Sequence, residues 1–183
     1  MRKRNSRFLS FVADLDSLSR GLNAGAELVL WVLVALTIVV TFIQVVFRYG
    51  LDSSLSWSEE LARYLFVWVI FLGTSVATRR RRHIFVEVFV VLLPDARRVW
   101  IDSLGVIVCI IFFTIFAYVS WLLTLNAWQQ YSTALDIRIA WVYAAAPLGA
   151  GLSILHLLVG LLQRLCGGND EPSPTLTAIE GVE

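Results

Sequence analysis

The stretch of the sequence richest in paired charges could bind a partner through ion pairs. Glu59, Glu60 and Arg63 follow one another there, between the aromatic residues Trp57 and Tyr64. On a helix, the two carboxylates lie four and three residues before the guanidinium, so both can reach it. Trp and Tyr are side chains typical of the headgroup layer of a membrane. The stretch is therefore a candidate contact surface for another protein at the edge of a membrane.

A purely structural role would also explain these residues. Ser56, with Glu59 three residues later, predicts a capping box, in which each side chain bonds a free backbone N–H at a helix start. The helix dipole also favours acidic residues at that position. On this interpretation the stretch is a well-capped helix end with an interfacial ion pair. Both interpretations are open at the level of the sequence.

Two further polar side chains, Gln44 and Arg48, lie about one helical turn apart at the end of an apolar segment. An amide inside a membrane-spanning helix usually bonds to a neighbouring helix. An arginine near the end of such a helix can reach the interface along its apolar stem. The pair predicts contact between helices, and a role in solute passage is the alternative.

A basic run follows the next apolar segment. A run in that position typically fixes membrane topology and contacts anionic lipid. The net charge of the whole chain is only +1, so we expect no binding to nucleic acid. His156 is alone in a later apolar segment, and we expect it to be a hydrogen-bonded packing residue. The basic run consists of Arg79, Arg80, Arg81, Arg82 and His83.

Signatures of catalysis are missing from the sequence. It contains no HExxH, no GxSxG and no phosphate-binding glycine loop. The two cysteines, Cys109 and Cys166, cannot form a familiar metal or thiol site with two separated histidines. We expect neither enzymatic activity nor a cofactor in this chain.

Composition assigns the chain to a membrane. Of its 183 residues, 58% are hydrophobic and 16% are charged, and the mean hydropathy is +0.74. Soluble domains have roughly 45–50% apolar and about 25% charged residues. Four segments are long and apolar enough to cross a hydrocarbon core of about 30 Å. The predicted fold class is an all-α membrane protein with four transmembrane helices, at about residues 28–47, 61–78, 105–125 and 139–162.

The predicted membrane domain, residues 28–164, has distinctive flanks and one unusual connection. Residues 1–27 form a basic leader whose apolar residues recur at three- and four-residue steps, which predicts an amphipathic helix in the membrane interface. Residues 83–93 are apolar but too short to cross, which favours a short helix in the cytoplasmic interface over a re-entrant piece or an extension of the second span. Residues 165–183 have the polar, Gly- and Pro-containing composition of a disordered tail.

The positions of the basic residues predict the orientation. Twelve of the fifteen lysines and arginines lie on the side of the leader and of the connection between the second and third spans. Because cytoplasmic loops carry an excess of Lys and Arg, both termini are expected in the cytoplasm. An even number of spans independently requires the termini to share a side.

Residues 44–86 carry a resemblance to a known family. They read QVVFRYGLDSSLSWSEELARYLFVWVIFLGTSVATRRRRHIFV. This stretch closely resembles the small permease subunit of tripartite ATP-independent periplasmic (TRAP) transporters, the DctQ-like family. The residues that carry the resemblance are Gln44 with Arg48-Tyr49, Ser56-Trp57-Ser58-Glu59-Glu60 running into Arg63-Tyr64, then Trp68, Phe71-Leu72-Gly73 and the basic run into His83-Ile84.

The resemblance implies a subunit of a three-part importer in a bacterial inner membrane. A soluble periplasmic binding protein captures an organic acid, such as a dicarboxylate or sialic acid. A large permease subunit of elevator type then carries the acid inward, driven by a sodium gradient, so Na⁺ is expected in the large subunit. The small subunit is expected to pack against the scaffold of the large one and to help dock the binding protein.

The residues themselves favour this division of labour. An anion crossing the membrane needs cations or donors within the spans, often on broken helices. The predicted spans contain a single Lys or Arg, Arg63, near the start of the second span. The chain is therefore predicted to be a scaffold. A self-sufficient transporter or channel, acting as an oligomer lined by Gln44 and Arg63, is the alternative from another functional class.

Overall fold

The computed structural model describes residues 2–52, 55–80 and 95–165. Within these ranges the chain is helical, and one isolated pairing between Tyr131 and Arg138 is the only β feature. The helices are α1 (Arg2–Gly50), α2 (Ser56–Arg79), α3 (Asp95–Asn126), α4 (Ala140–Tyr143) and α5 (Ala145–Leu165), with a 3₁₀ turn at Ala127–Gln129 after α3.

Within the described residues, four stretches of helix are long and apolar enough to cross a membrane, which confirms the predicted fold class. They contain the four predicted apolar segments, apart from one residue at the start of the fourth. The stretches are Val12–Gly50, Ser56–Arg79, Leu104–Gln129 and Ala140–Gln163.

The first helix is a single rod of 49 residues. At 1.5 Å per residue it is about 73 Å long, more than twice the thickness of a hydrocarbon core. The sequence contains no proline before residue 94, so nothing in α1 interrupts its ladder of hydrogen bonds. The leader is helical, as its apolar spacing predicted, and it continues into the first span without a break. Its placement in the membrane interface stays a prediction.

The last span is interrupted near its start. Ala144 separates α4 from α5, and Pro147 lies in the first turn of α5. Proline has no N–H, so it cannot bond the carbonyl four residues earlier, but a first turn tolerates it. The ladder resumes at Leu148, whose N–H donates to the carbonyl of Ala144 at 3.3 Å.

The four spans form an open row of helices. α2 packs between α1 and α5, and α5 packs between α2 and α3, while α1 also touches α5. Among the described residues, the backbones of α1 and α3 do not approach each other. α5 is accordingly the most buried span. α1 and α3 expose large apolar side chains along most of their length, including Trp31, Phe42, Phe112 and Tyr118.

The tightest contact in this row is between α2 and α5 at Gly149. A Cβ atom placed on Gly149 would lie 2.6 Å from the carbonyl oxygen of Phe71. Small residues recur every four positions around it, at Ala145 and Ser153, and both are fully buried. Small residues of this kind let the backbones of membrane helices come close together. The ring of Phe71 also stacks on Phe116 of α3, with 5.8 Å between ring centroids, so one residue joins three helices.

Two of the predicted segments fall outside the described residues. They are the interfacial segment at residues 83–93 and residues 166–183 of the tail.

Substituting Gly149 with alanine is expected to destabilise the fold by about 1–3 kcal/mol, the usual effect of adding a methyl group to a full interface. Alanine is the better helix former, so any loss of stability arises from the contact with Phe71. Thermal unfolding of the purified chain in detergent measures the effect. Gly151→Ala is the matched control, because a Cβ there meets nothing within 4 Å. A melting temperature of Gly149→Ala equal to that of the control would contradict the packing argument.

Candidate functional site

The predicted ion pair at the start of α2 is formed. Nη2 of Arg63 lies 3.3 Å from Oε1 of Glu59, one helical turn earlier. About two thirds of each side chain is exposed, at 67% for Arg63 and 66% for Glu59. An ion pair so exposed contributes little to stability. Both charges, together with the half-exposed Trp57, therefore lie on the surface and are available to a partner.

The predicted capping box is not formed. α2 begins at Ser56, and the residue before it is Leu55, whose side chain offers no cap. Ser56 is thus one position too late, since the serine of a capping box is the residue that precedes the first helical one. Ser58 bonds back to the carbonyl of Leu55 instead, through its hydroxyl at 2.7 Å and its N–H at 3.1 Å. The capping part of the structural interpretation was therefore wrong.

Glu60 does not pair with Arg63, as the three-residue spacing had suggested, but holds a loop. Its Oε1 accepts a hydrogen bond from the hydroxyl of Tyr64. Its Oε2 accepts a second one, at 2.9 Å, from the backbone N–H of Ala134. The carboxylate thus ties the start of α2 to the connection between α3 and α4. The two neighbouring carboxylates therefore have different roles. Glu59 faces outward and is available to a partner, whereas Glu60 faces inward and holds the loop.

That connection, residues 130–139, is a small hairpin and is called the hairpin loop below. Two backbone bonds close it: Ser132 N–H donates to Ile137 O at 2.9 Å, and Ile139 N–H donates to Gln130 O at 3.0 Å. Asp136 takes a left-handed backbone conformation, with φ of 52°, which aspartate tolerates better than most residues. The sequence did not predict this part of the site.

Arg138 covers the aromatic side chains of this region. Its guanidinium carbon lies 5.1 Å from the ring centroid of Trp128 and 5.8 Å from that of Tyr131. Arginine stacks readily on aromatic faces, and such contacts favour one orientation of a long side chain. In the sequence, Trp128, Tyr131 and Arg138 flank the polar residues of the hairpin loop. That spacing is the sequence signal that could have identified the loop.

Gln44 and Arg48 lie near the end of α1, on the same side of the membrane domain as the hairpin loop. Gln44 is partly buried, and among the described residues nothing hydrogen-bonds to its amide. Arg48 is exposed, with its guanidinium carbon 5.8 Å from the ring centroid of Tyr49. Neither residue forms a hydrogen bond or an ion pair with Glu59, Glu60 or Arg63. The expected hydrogen bond of Gln44 to another helix is thus not formed among the described residues, and its contact with a partner subunit stays a prediction.

The other end of the domain holds a second polar group. Arg79 pairs with Asp16 at 3.3 Å, and Arg80 pairs with Glu27 at 2.9 Å, so the end of α2 is tied twice to α1. Asp16 also pairs with Arg20 at 3.1 Å. Both arginines had been predicted to contact lipid, and the structure shows what else they bind. Arg81, Arg82 and His83 lie outside the described residues.

His156 joins this group from α5. Its Nδ1 lies 2.8 Å from Oγ of Ser19, and Arg79 donates a hydrogen bond to the same oxygen. Ser19 is fully buried and His156 is 6% exposed, so the prediction of a hydrogen-bonded packing residue is confirmed. We call this set the arginine cluster: Asp16, Ser19, Arg20, Glu27, Arg79, Arg80 and His156.

The arginine cluster was not among the predicted sites, although its residues in the leader share a pattern. Asp16, Ser19, Asn23 and Glu27 recur at steps of three and four residues, a polar stripe on one helix face. That face meets α2 and α5, while Leu18 and Leu22 are exposed. This part of α1 buries polar side chains against the bundle and exposes leucines, whereas a helix of a soluble protein buries its apolar face.

No group of three His, Cys, Asp or Glu side chains suited to a metal ion occurs in the described ranges. What the two ends offer is a charged, aromatic surface at the hairpin loop and a set of internal ion pairs at the arginine cluster.

Comparison with known proteins identifies the family. The family described as "Tripartite ATP-independent periplasmic transporters, DctQ component" matches residues 37–167. The chain belongs to the DctQ family of TRAP transporters. The match covers most of the chain, including the start of α2, the hairpin loop and α5. This DctQ-type chain is therefore a multi-pass membrane protein of the permease part of such transporters.

Individual relatives agree with that assignment. A TRAP transporter small permease protein of Haemophilus influenzae is 39% identical over 80 residues, which are 44% of this chain and 50% of the relative. The sialic acid TRAP transporter permease protein SiaT of the same species is 35% identical over 122 residues, 63% of this chain and 19% of the relative. The sialic acid TRAP transporter small permease protein SiaQ of Vibrio cholerae is 27% identical over 164 residues, 87% of this chain and 94% of the relative.

The chain thus spans half of the first of these relatives, about a fifth of SiaT and nearly all of SiaQ.

Replacing Glu60 with glutamine is expected to loosen the hairpin loop, because a neutral amide is a weaker acceptor for Tyr64 and for the N–H of Ala134. Hydrogen exchange at the Ala134 amide should become several-fold faster. Glu59→Gln is the matched control, since it removes the same charge from the adjacent residue and leaves the loop untouched. Equal exchange rates in the two variants would mean that Glu60 does not hold the loop.

Proposed function

We propose that this chain is the small membrane subunit of a sodium-coupled, binding-protein-dependent importer of organic acids. In this proposal the chain carries no substrate itself. It enlarges and supports the membrane scaffold of a large permease subunit, which binds Na⁺ and moves the substrate. The names of SiaT and SiaQ support an organic acid as the substrate class.

The observation that carries the scaffold role is the open row of spans. A channel or carrier formed by one copy of the chain needs helices that close around a polar route, and here α1 and α3 lie apart at opposite ends of the row. Both expose large apolar side chains. Such surfaces fit lipid or the apolar helices of a larger subunit. The unpartnered amide of Gln44 supports contact with a helix of another subunit, because a polar group in the membrane seeks a partner.

The hairpin loop supports a second role in docking the periplasmic binding protein. Glu60 fixes the loop, and Arg138 is stacked on two aromatic rings, so the surface is ordered before a partner arrives. An ordered surface loses less conformational freedom on binding. Glu59 and Arg63 add exposed charges of both signs beside it. Charges at the rim of an interface mainly guide encounter and orientation.

We propose the inner membrane of a bacterium as the location, with both termini in the cytoplasm. The bias of twelve basic residues against three supports this orientation. The arginine cluster then lies at the cytoplasmic end, and the hairpin loop lies at the periplasmic end.

A reporter enzyme fused after residue 183 is expected to be active only when it is of the cytoplasmic type. An alkaline phosphatase fusion, which needs the periplasm, should be inactive at that point and active when inserted in the hairpin loop. The paired activities of the two fusions measure the topology. Alkaline phosphatase activity at the C-terminus would contradict the orientation.

Solute uptake into vesicles tests the scaffold role. The full chain, the large permease subunit and the binding protein encoded with it are reconstituted together, and an inward sodium gradient is applied. The substrate is the organic acid that raises the melting temperature of that binding protein. We expect uptake by the complete set and none by this chain alone. Sodium-driven uptake by this chain alone would overturn the proposal.

Reversing the exposed charge, Glu59→Lys, is expected to lower uptake at limiting concentrations of binding protein and to raise the concentration needed for half-maximal uptake several-fold. The large subunit should still copurify with the variant, and the binding protein should hold its substrate as before. Asp14→Lys, at the opposite end of the domain, is the control for a change of net charge. Equal uptake curves for both variants and the wild type would contradict a docking role for Glu59.

A further inference from the structure

A polar cavity lies beside the arginine cluster, between the ends of α1, α2 and α5. Its volume is about 100 Å³ and it is partly open to the surroundings. About 10–15 Å³ measured in this way is enough for one water molecule, so the cavity has room for a group several times larger. It is lined by Asp16, Arg79, His156, Val159, Gly160 and Gln163.

The lining residues Asp16 and Arg79 carry opposite charges, and Arg20, which also pairs with Asp16, adds one positive charge beside the cavity. The two oxygens of Asp16 are both occupied, one by Arg79 at 3.3 Å and the other by Arg20 at 3.1 Å. The single carboxylate therefore balances only one of the two guanidiniums. An arginine has five N–H donors, and Arg79 uses one on Asp16 and one on Ser19. Three donors of Arg79 are left for a ligand.

Ser19 links Arg79 to His156. The hydroxyl oxygen of Ser19 accepts from Arg79, and its own hydrogen can donate to Nδ1 of His156. Nδ1 is then the acceptor, and a neutral imidazole carries its proton on Nε2. That Nε2 is buried and no hydrogen-bond partner for it exists among the described residues. A buried donor without a partner is costly, which indicates that an acceptor belongs there.

The level of the cavity in the membrane identifies the kind of acceptor. Arg79 is the last residue of α2, and Gln163 ends the last span. These positions lie where the apolar helices end, which is where we expect the lipid headgroups. In the proposed orientation this end is cytoplasmic, and basic pockets between membrane helices on the cytoplasmic side bind the phosphates of lipid headgroups.

We propose that this cavity is a binding site for a phosphate group of single negative charge, with Arg79, the Nε2–H of His156 and the amide of Gln163 as donors. The group can come from an anionic phospholipid or from free phosphate. The bound oxygen atoms complete the hydrogen bonds of His156 and balance the excess charge of the cluster. A ligand held in this way fastens the leader half of α1 to α2 and α5. The site does not depend on the transport role proposed above.

The test measures the melting temperature of the full chain in detergent during three separate titrations. The ligands are short-chain phosphatidylglycerol, the matching diacylglycerol without phosphate, and inorganic phosphate. A rise with phosphatidylglycerol alone assigns the site to lipid, and a rise with inorganic phosphate as well assigns it to the phosphate group from either source. An equal rise with diacylglycerol, or no rise with any ligand, overturns the proposal.

Two neighbouring arginines provide the matched variants. Arg79→Gln and Arg80→Gln each remove one positive charge and one ion pair with α1, but only Arg79 lines the cavity. We expect Arg79→Gln to weaken the affinity for phosphatidylglycerol about tenfold, the effect of one lost charged hydrogen bond. Arg80→Gln should change it by less than about twofold. Equal losses in both variants would show attraction to charge in general and would overturn the site.

A second pair of variants at His156 keeps the test decisive if Arg79→Gln does not fold. The amide of His156→Asn can replace Nδ1 toward Ser19 but not Nε2, whereas that of His156→Gln reaches the position of Nε2. We expect His156→Asn to lose phosphate-dependent stabilisation and His156→Gln to retain most of it. The same response in the two variants would overturn the role of Nε2.

Discussion

The close approach of α2 and α5 at Gly149 is the constraint on which the rest of the domain depends. With no side chain at that position, the backbone of α5 lies against the carbonyl of Phe71. Phe71 can then reach across to Phe116 of α3, while on the other side a Cβ atom placed on Gly73 would lie 3.9 Å from Cδ1 of Leu30 of α1. Phe71 and Gly73 are two residues apart on α2. Their contacts together join the row of helices from α3 at one edge to α1 at the other.

The row determines what each end of the domain can do. α2 lies between α1 and α5, so its two ends carry polar residues that reach different neighbours. At its start Glu60 reaches the hairpin loop, and at its end Arg79 reaches Asp16 and Ser19 of α1. The outer helices are left with apolar surface, which suits a subunit that works inside a larger membrane complex. The polar contacts between helices described above therefore lie at the two ends of the domain, and apolar packing lies in its middle.

The sequence predicted those parts of the structure that depend on local spacing. Apolar runs gave the four spans, and the four-residue spacing of Glu59 and Arg63 gave their ion pair. Local spacing misled where a tertiary contact was stronger: Glu60 bonds to a loop 74 residues away, not to Arg63. The arginine cluster combines residues 16, 79 and 156 from three helices, so the polar stripe of the leader indicates only one part of it. The capping box is not formed because α2 begins at Ser56, one residue earlier than the box requires.

The continuity of α1 has a mechanical consequence. A helix without a proline or an inserted residue bends little, so it moves as one body about the point where it is held. α1 is held by α2 and by the ion pairs of its leader half, and its far end stands beside the start of α2. A tilt of α1 about this point would therefore move its two ends in opposite directions. Because α1 runs from one end of the domain to the other, such a tilt would move residues at both ends without any change in its internal hydrogen bonds.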